Sequence, residues 1–155
     1  IKGCIKEHGC LDDSPALKFL DDTLKVFPEG YKRRITVASG DANTGDFVTF
    51  DQTNMPFTNL HQAALASGSI PGVFPPQLMN GMALMDGGTI WDVNLISAID
   101  QCLEVVDDVS KIIIDVAICS KAKNEGFDAT KNAADNYLRA QQLRRSANGM
   151  NAINW

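Results

Sequence analysis

Asn80-Gly81 stands between two short apolar runs, Gln77-Leu78-Met79 and Met82-Ala83-Leu84-Met85. The type I′ turn, one of the two common two-residue hairpin turns, requires positive φ at both central positions, which Asn and Gly tolerate and most residues do not. The pair therefore predicts two antiparallel strands joined by a tight turn. The second strand delivers the chain directly into Asp86-Gly87-Gly88.

The remaining segments alternate between helical and extended patterns. Ser14-Pro15 predicts a helix start, with Ser as cap and Pro in the first turn. Leu17, Leu20, Leu24 and Phe27 follow at helical spacing, and Pro28-Glu29-Gly30 stops them. Arg34 to Ser39 and Phe47 to Phe50 read as strands around the turn residues Asp41 to Gly45. Thr58 to Ala66 reads as a helix capped by Thr58, with Leu60, Ala63 and Ala64 inward. Asn94 caps another helix, whose apolar face is Leu95, Ile99, Cys102, Leu103 and Val106. Ile112 to Ile118 is nearly all apolar and β-branched, the pattern of a strand buried on both faces of a parallel sheet. A helical tail is expected from about 129 to 147, with Ala133, Ala134, Tyr137 and Leu138 inward. This mixture predicts an α/β protein of layered architecture, and 155 residues fit one domain.

Composition narrows the partners. With 19 acidic against 14 basic residues the formal net charge is −5, which argues against nucleic acid, whose phosphates need a basic face. Lys32-Arg33-Arg34 and Arg144-Arg145 read as solvated surface. No apolar run reaches the ~20 residues of a membrane span. The four cysteines, Cys4, Cys10, Cys102 and Cys119, form no C-x-x-C pair. Cys4, His8 and Cys10 match no common zinc spacing, so no metal or other cofactor is expected. All four are read as free thiols, Cys102 and Cys119 as core residues, which favours a cytoplasmic setting. Asp41 and Asn43 suggest a calcium loop, but Gly45 stands where another oxygen ligand is needed and no Glu closes the loop. A hairpin turn is the expectation there.

The chemistry converges on Asp86. In open α/β sheets, sites gather at the carboxyl ends of strands. A carboxylate held there, followed by two glycines that allow close approach of another group, has what a general base needs. Taken alone, Asp-Gly-Gly reads first as a plain turn, because Asp and Gly dominate turns.

The preceding stretch changes that balance. Ala66-Ser67-Gly68-Ser69-Ile70-Pro71-Gly72-Val73-Phe74-Pro75-Pro76, a hairpin, and then Asp86-Gly87-Gly88 resemble the patatin-like phospholipase family. There an Ile-Pro-Gly-x-Phe-Pro-Pro loop precedes a hairpin and the aspartate of a Ser-Asp dyad. Ser14 to Leu17, Arg34 to Phe50 and Ile112 to Ile118 are similar to further family segments, so the resemblance runs from about 11 to 119. It implies a three-layer α/β/α fold and hydrolysis of a lipid ester. In such chemistry serine attacks the carbonyl, and aspartate takes its proton directly. Carried onto this chain, Asp86 is the catalytic base, and Gly87 and Gly88 position it.

The nucleophile of the family stands on a G-x-S-x-G elbow. None of Ser14, Ser39, Ser67, Ser69, Ser97, Ser110, Ser120 and Ser146 fits that pattern. Gly68-Ser69-Ile70-Pro71-Gly72 has glycines at both ends, but its serine is one place early and Pro71 cannot sit in the helix an elbow starts. The glycine-rich oxyanion loop is missing too. The expectation is a partial fold lacking the amino-terminal strand, oxyanion loop and elbow, inactive as 155 residues alone. The alternative is a non-catalytic lipid-binding or interaction module on a decayed hydrolase fold. Transient contact with a membrane surface fits either reading. The family often has Asn-x-Pro a few residues after the aspartate, where this chain has Asp92-Val93-Asn94-Leu95. Other candidates are His61, for want of an elbow serine a surface or bonded histidine, and Trp91 and Phe74, which suit a lipid groove or core packing equally.

Overall fold

The computed structural model describes residues 6–117, 126 and 132–151. The chain divides into two compact units, Ile1–Ile90 and Trp91–Trp155.

In the first unit, helix α1 spans Ser14–Leu24. Asp13, not Ser14, takes the cap position, and the carboxylate of Asp12 accepts the Ser14 N–H at 3.0 Å. Strands β1 (Thr36–Asp41) and β2 (Phe47–Asp51) form the first hairpin. A 3-10 turn at Phe57–Asn59 leads into helix α2, Leu60–Ser67. The α-helix thus starts two residues after the Thr58 cap that the sequence predicts. Strands β3 (Gln77–Met79) and β4 (Met82–Asp86) form the second hairpin. Asn80 at φ 54° and Gly81 at φ 79° carry the turn, as their residue types require.

The four strands make one antiparallel sheet in the order β2-β1-β4-β3. Residues opposite each other in a ladder share a face, so the register sorts the side chains. Val37, Ser39 and Asp41 of β1 share a face with Val48 and Phe50 of β2 and with Met82, Leu84 and Asp86 of β4. This face carries the core: Phe50 and Leu84 are buried with Leu60, Ala63 and Ala66 of α2. On the other face Leu78 is 85% exposed. Tyr31 stacks edge-on against Phe57 at 5.0 Å and donates its hydroxyl to the Met55 carbonyl. Burial, with the nearby Asp51 charge, raises its pKa.

In the second unit, helix α3 spans Leu95–Leu103, and the Asn94 side chain accepts the Ser97 N–H at 3.2 Å, the cap its sequence predicts. Helix α4 spans Ala133–Asn151. It begins after the expected 129, and residues 129–131 lie outside the described ones. Ala133, Ala134, Tyr137 and Leu138, expected inward, are exposed.

Two expectations are overturned here. Residues 112–117 form no strand, and Ile113 is 89% exposed; Ile118 lies outside the described residues. A strand persists only where a neighbour takes its backbone groups. Among the described residues its own unit contains no other strand. The expected parallel sheet is thus an antiparallel one, built elsewhere in the chain. Second, the cysteines are not all free thiols. Cys10 is disulfide-bonded, while Cys102 is free but exposed rather than core. The argument from free thiols to a reducing compartment loses its premise. Cys4 and Cys119 lie outside the described residues.

Candidate active site

Asp86 ends β4, where the ladder gives way to a 3-10 turn over Gly87–Thr89. Its side chain caps that turn: Oδ1 accepts the Gly88 N–H at 2.9 Å. Its backbone N–H donates to the Ser69 carbonyl at 2.9 Å. Gly87 is buried, and a Cβ there would lie 2.8 Å from the Ala38 carbonyl oxygen. No side chain fits against that backbone, so glycine is a packing requirement here. On the far face, Gly40 of β1 is covered by Ile90 so closely that a Cβ would meet its Cδ1 at 2.8 Å. The carboxylate is thus part-buried and fixed at one oxygen.

The loop from Ser69 to Pro76 is tied down from both ends. Val73 and Phe74 donate their N–H groups to the Ile70 carbonyl. Gly72 has φ 81°, a left-handed value that glycine adopts without strain. The segment before α1 lies across this loop. Leu11 donates its N–H to the Val73 carbonyl at 2.9 Å, and a Cβ on Gly9 would meet the Pro75 nitrogen at 2.5 Å. Gln77 joins the two by donating its side-chain amide to Asp13.

The structure brings together Asp86, Gly87, Gly88 and the Ile70 to Pro76 loop. Ser69 is buried, and its Oγ donates to the Leu65 carbonyl at 2.8 Å. His61 lies on α2, and its Nδ1 is buried without a hydrogen-bond partner among the described residues. Trp91 belongs to the second unit. No cluster of three His, Cys, Asp or Glu side chains occurs among the described residues, and Cys10 is committed to its disulfide. A cavity of about 230 Å³, lined by Leu24, Phe27, Pro28 and Phe57, opens at the end of α1 and does not include Asp86. No helix among the described residues is long and apolar enough to cross a membrane.

One residue that the sequence did not single out for this role is Asp41. Its carboxylate accepts the N–H of Asn43 at 3.1 Å, the hydroxyl of Thr44 at 3.2 Å and the N–H of Ala83 at 3.2 Å. It closes the β1–β2 turn, as its position predicts, and also clamps β4 to β1. An Asp at a turn shows only the first of these jobs in the sequence, because the second partner is 42 positions away.

The proline loop, the hairpin and the strand-end Asp-Gly-Gly all lie in one mixed α/β unit, which is compatible with a patatin-like α/β fold. The family model for patatin-like phospholipase matches residues 2–99, and the chain belongs to that family. The matched span contains both the Ile70 to Pro76 loop and Asp86. No curated protein matches the chain.

Proposed function

We propose that this chain supplies the aspartate half of a Ser-Asp dyad that hydrolyses lipid esters, with Asp86 as general base. The observation that carries the reading is the seating of Asp86: a part-buried carboxylate at a strand end, held at Oδ1 by the Gly88 N–H, on a turn whose Gly87 admits no side chain. A base must be fixed in position before it can take a proton in the transition state. Serine then attacks the ester carbonyl, its proton passes to the Asp86 carboxylate, and the acyl-enzyme is hydrolysed by water. The 155 residues contain no G-x-S-x-G, so in this reading the nucleophile and its oxyanion donors stand on residues outside them, and these residues are the carboxyl-terminal part of the catalytic domain. The substrate class is a lipid ester, as the family implies.

The test is hydrolysis of phosphatidylcholine vesicles and of p-nitrophenyl butyrate. The purified 155-residue chain should be inactive. The complete gene product, carrying an upstream G-x-S-x-G, should be active and lose activity by on the order of a hundredfold or more on Asp86→Ala. Activity in the 155-residue chain, or full activity in the Asp86→Ala product, overturns the proposal.

A further inference from the structure

Ser39 is fully buried, and its Oγ has no hydrogen-bond partner among the described residues. A buried hydroxyl left unpaired is costly, so each such group calls for a physical account. The register supplies one. Ser39 of β1 lies opposite Asp86 of β4 and, on its other side, opposite Val48 of β2. All three share the α2-covered face of the sheet. Val48 offers no acceptor. Along β1 the same-face neighbours are Val37, which offers none, and Asp41, whose carboxylate already takes the Asn43, Thr44 and Ala83 donors.

The hydrogen-bond pattern tightens the argument. The N–H of Asp86 points away from β1, to Ser69, while the Ala42 N–H donates to the Ala83 carbonyl. Ser39–Asp86 is therefore a non-hydrogen-bonded pair, the kind whose facing Cα atoms approach to about 4.5 Å and whose side chains are closest. Oδ1 of Asp86 takes the Gly88 N–H. Among the described residues its other oxygen, Oδ2, takes nothing.

We propose that Ser39 is a positioning residue for Asp86: its hydroxyl donates across the strand pair to the carboxylate and holds the second oxygen, as Gly88 holds the first. The inference rests on Asp86 being the base. Ser39 is not itself a nucleophile, because a hydroxyl with no exposed surface cannot reach an ester carbonyl. A rotation about its χ1 changes the direction of the donor without moving the backbone.

The test is a double-mutant cycle on the 155-residue chain, read by urea unfolding, with Ser39→Ala, Asp86→Asn and the pair. The expected coupling is roughly two- to tenfold in the unfolding equilibrium constant. A merely structural Ser39 gives additive effects, and additivity overturns the proposal. A spectroscopic reading goes with it. With 13C-labelled aspartate at neutral pH, Ser39→Ala should shift the Asp86 carboxyl resonance, and Ser39→Thr, which keeps the hydroxyl, should restore it; an unmoved resonance overturns the proposal. Should Ser39→Ala not fold, Asp86→Asn alone answers the question: it should move the Ser39 13Cβ resonance, and no movement overturns the inference. An additive cycle leaves Asp86's role as base untouched, whereas hydrolysis surviving Asp86→Ala in the complete gene product removes that role and leaves the cycle standing.

Discussion

The N–H of Asp86 and the carbonyl of Ser69 meet at 2.9 Å. That bond joins the strand end to the start of the proline loop on the side of β4 away from β1. Ser69 is itself held to the last turn of α2 through the Leu65 carbonyl. The aspartate therefore takes its position from β1, from the loop and from α2 at once.

Ser69→Ala should lower stability by about 0.5–1.5 kcal/mol, because one buried hydrogen bond is lost while the Leu65 carbonyl keeps the Gly68 N–H. Urea unfolding measures the loss. In the complete gene product the same variant should keep its turnover number within about threefold, the mark of a structural serine.

Gly87→Ala should cost about 1–3 kcal/mol, the range for forcing atoms into a filled space. The added Cβ would meet the Ala38 carbonyl oxygen at 2.8 Å, and that neighbour is backbone with little room to yield. The urea midpoint should fall. Gly45→Ala, where open space surrounds the position but φ is +80°, isolates the conformational cost alone.

Asp41→Ala strands three donors, one of them the backbone N–H of Ala83. A loss of about 1–3 kcal/mol is expected. Asp41→Asn keeps one acceptor oxygen and should recover part of it. Amide exchange at Ala83 reports the change directly, with protection falling most in the Ala variant.

Acid should weaken the first unit through Asp51. Its pKa is lowered chiefly by the Thr53 hydroxyl, then by the Thr53 N–H, with the Asn54 N–H and the Arg34 charge adding to it. A carboxylate held below its unfolded value of about 3.9 contributes stability that is present above that value. The contribution is lost as pH falls through the lower folded value. Asp51→Asn should therefore flatten the acid limb of a stability profile below pH ~4 while leaving its slope near neutrality unchanged.

Local chemistry was legible in the sequence and long-range pairing was not. Asn80-Gly81 predicts its turn because two positive φ values can be read from residue type alone. Asn94 predicts its cap for a similar reason. Asp86-Gly87-Gly88 and the Ile70 to Pro76 loop could be paired through resemblance. The Ser39–Asp86 register could not, because nothing near either residue specifies the other. The run from Ile112 to Ala117 fails in the opposite sense. Its composition suits a buried strand, but a strand is a property of two chains of backbone groups, and composition describes only one. Cys10 reads as a thiol because spacing alone does not reveal its bond.

The sheet order β2-β1-β4-β3 also sets a sequence in time. Each hairpin closes a short loop and can form on the microsecond scale by itself. The β1–β4 seam must wait until the long stretch carrying α2 and the proline loop has been drawn in, at a greater cost in chain entropy. Asp86 lies on that seam, opposite Ser39. A chain with both hairpins formed but not yet joined would hold most of its secondary structure and have no place for the carboxylate, so the site is assembled by the last contact rather than the first.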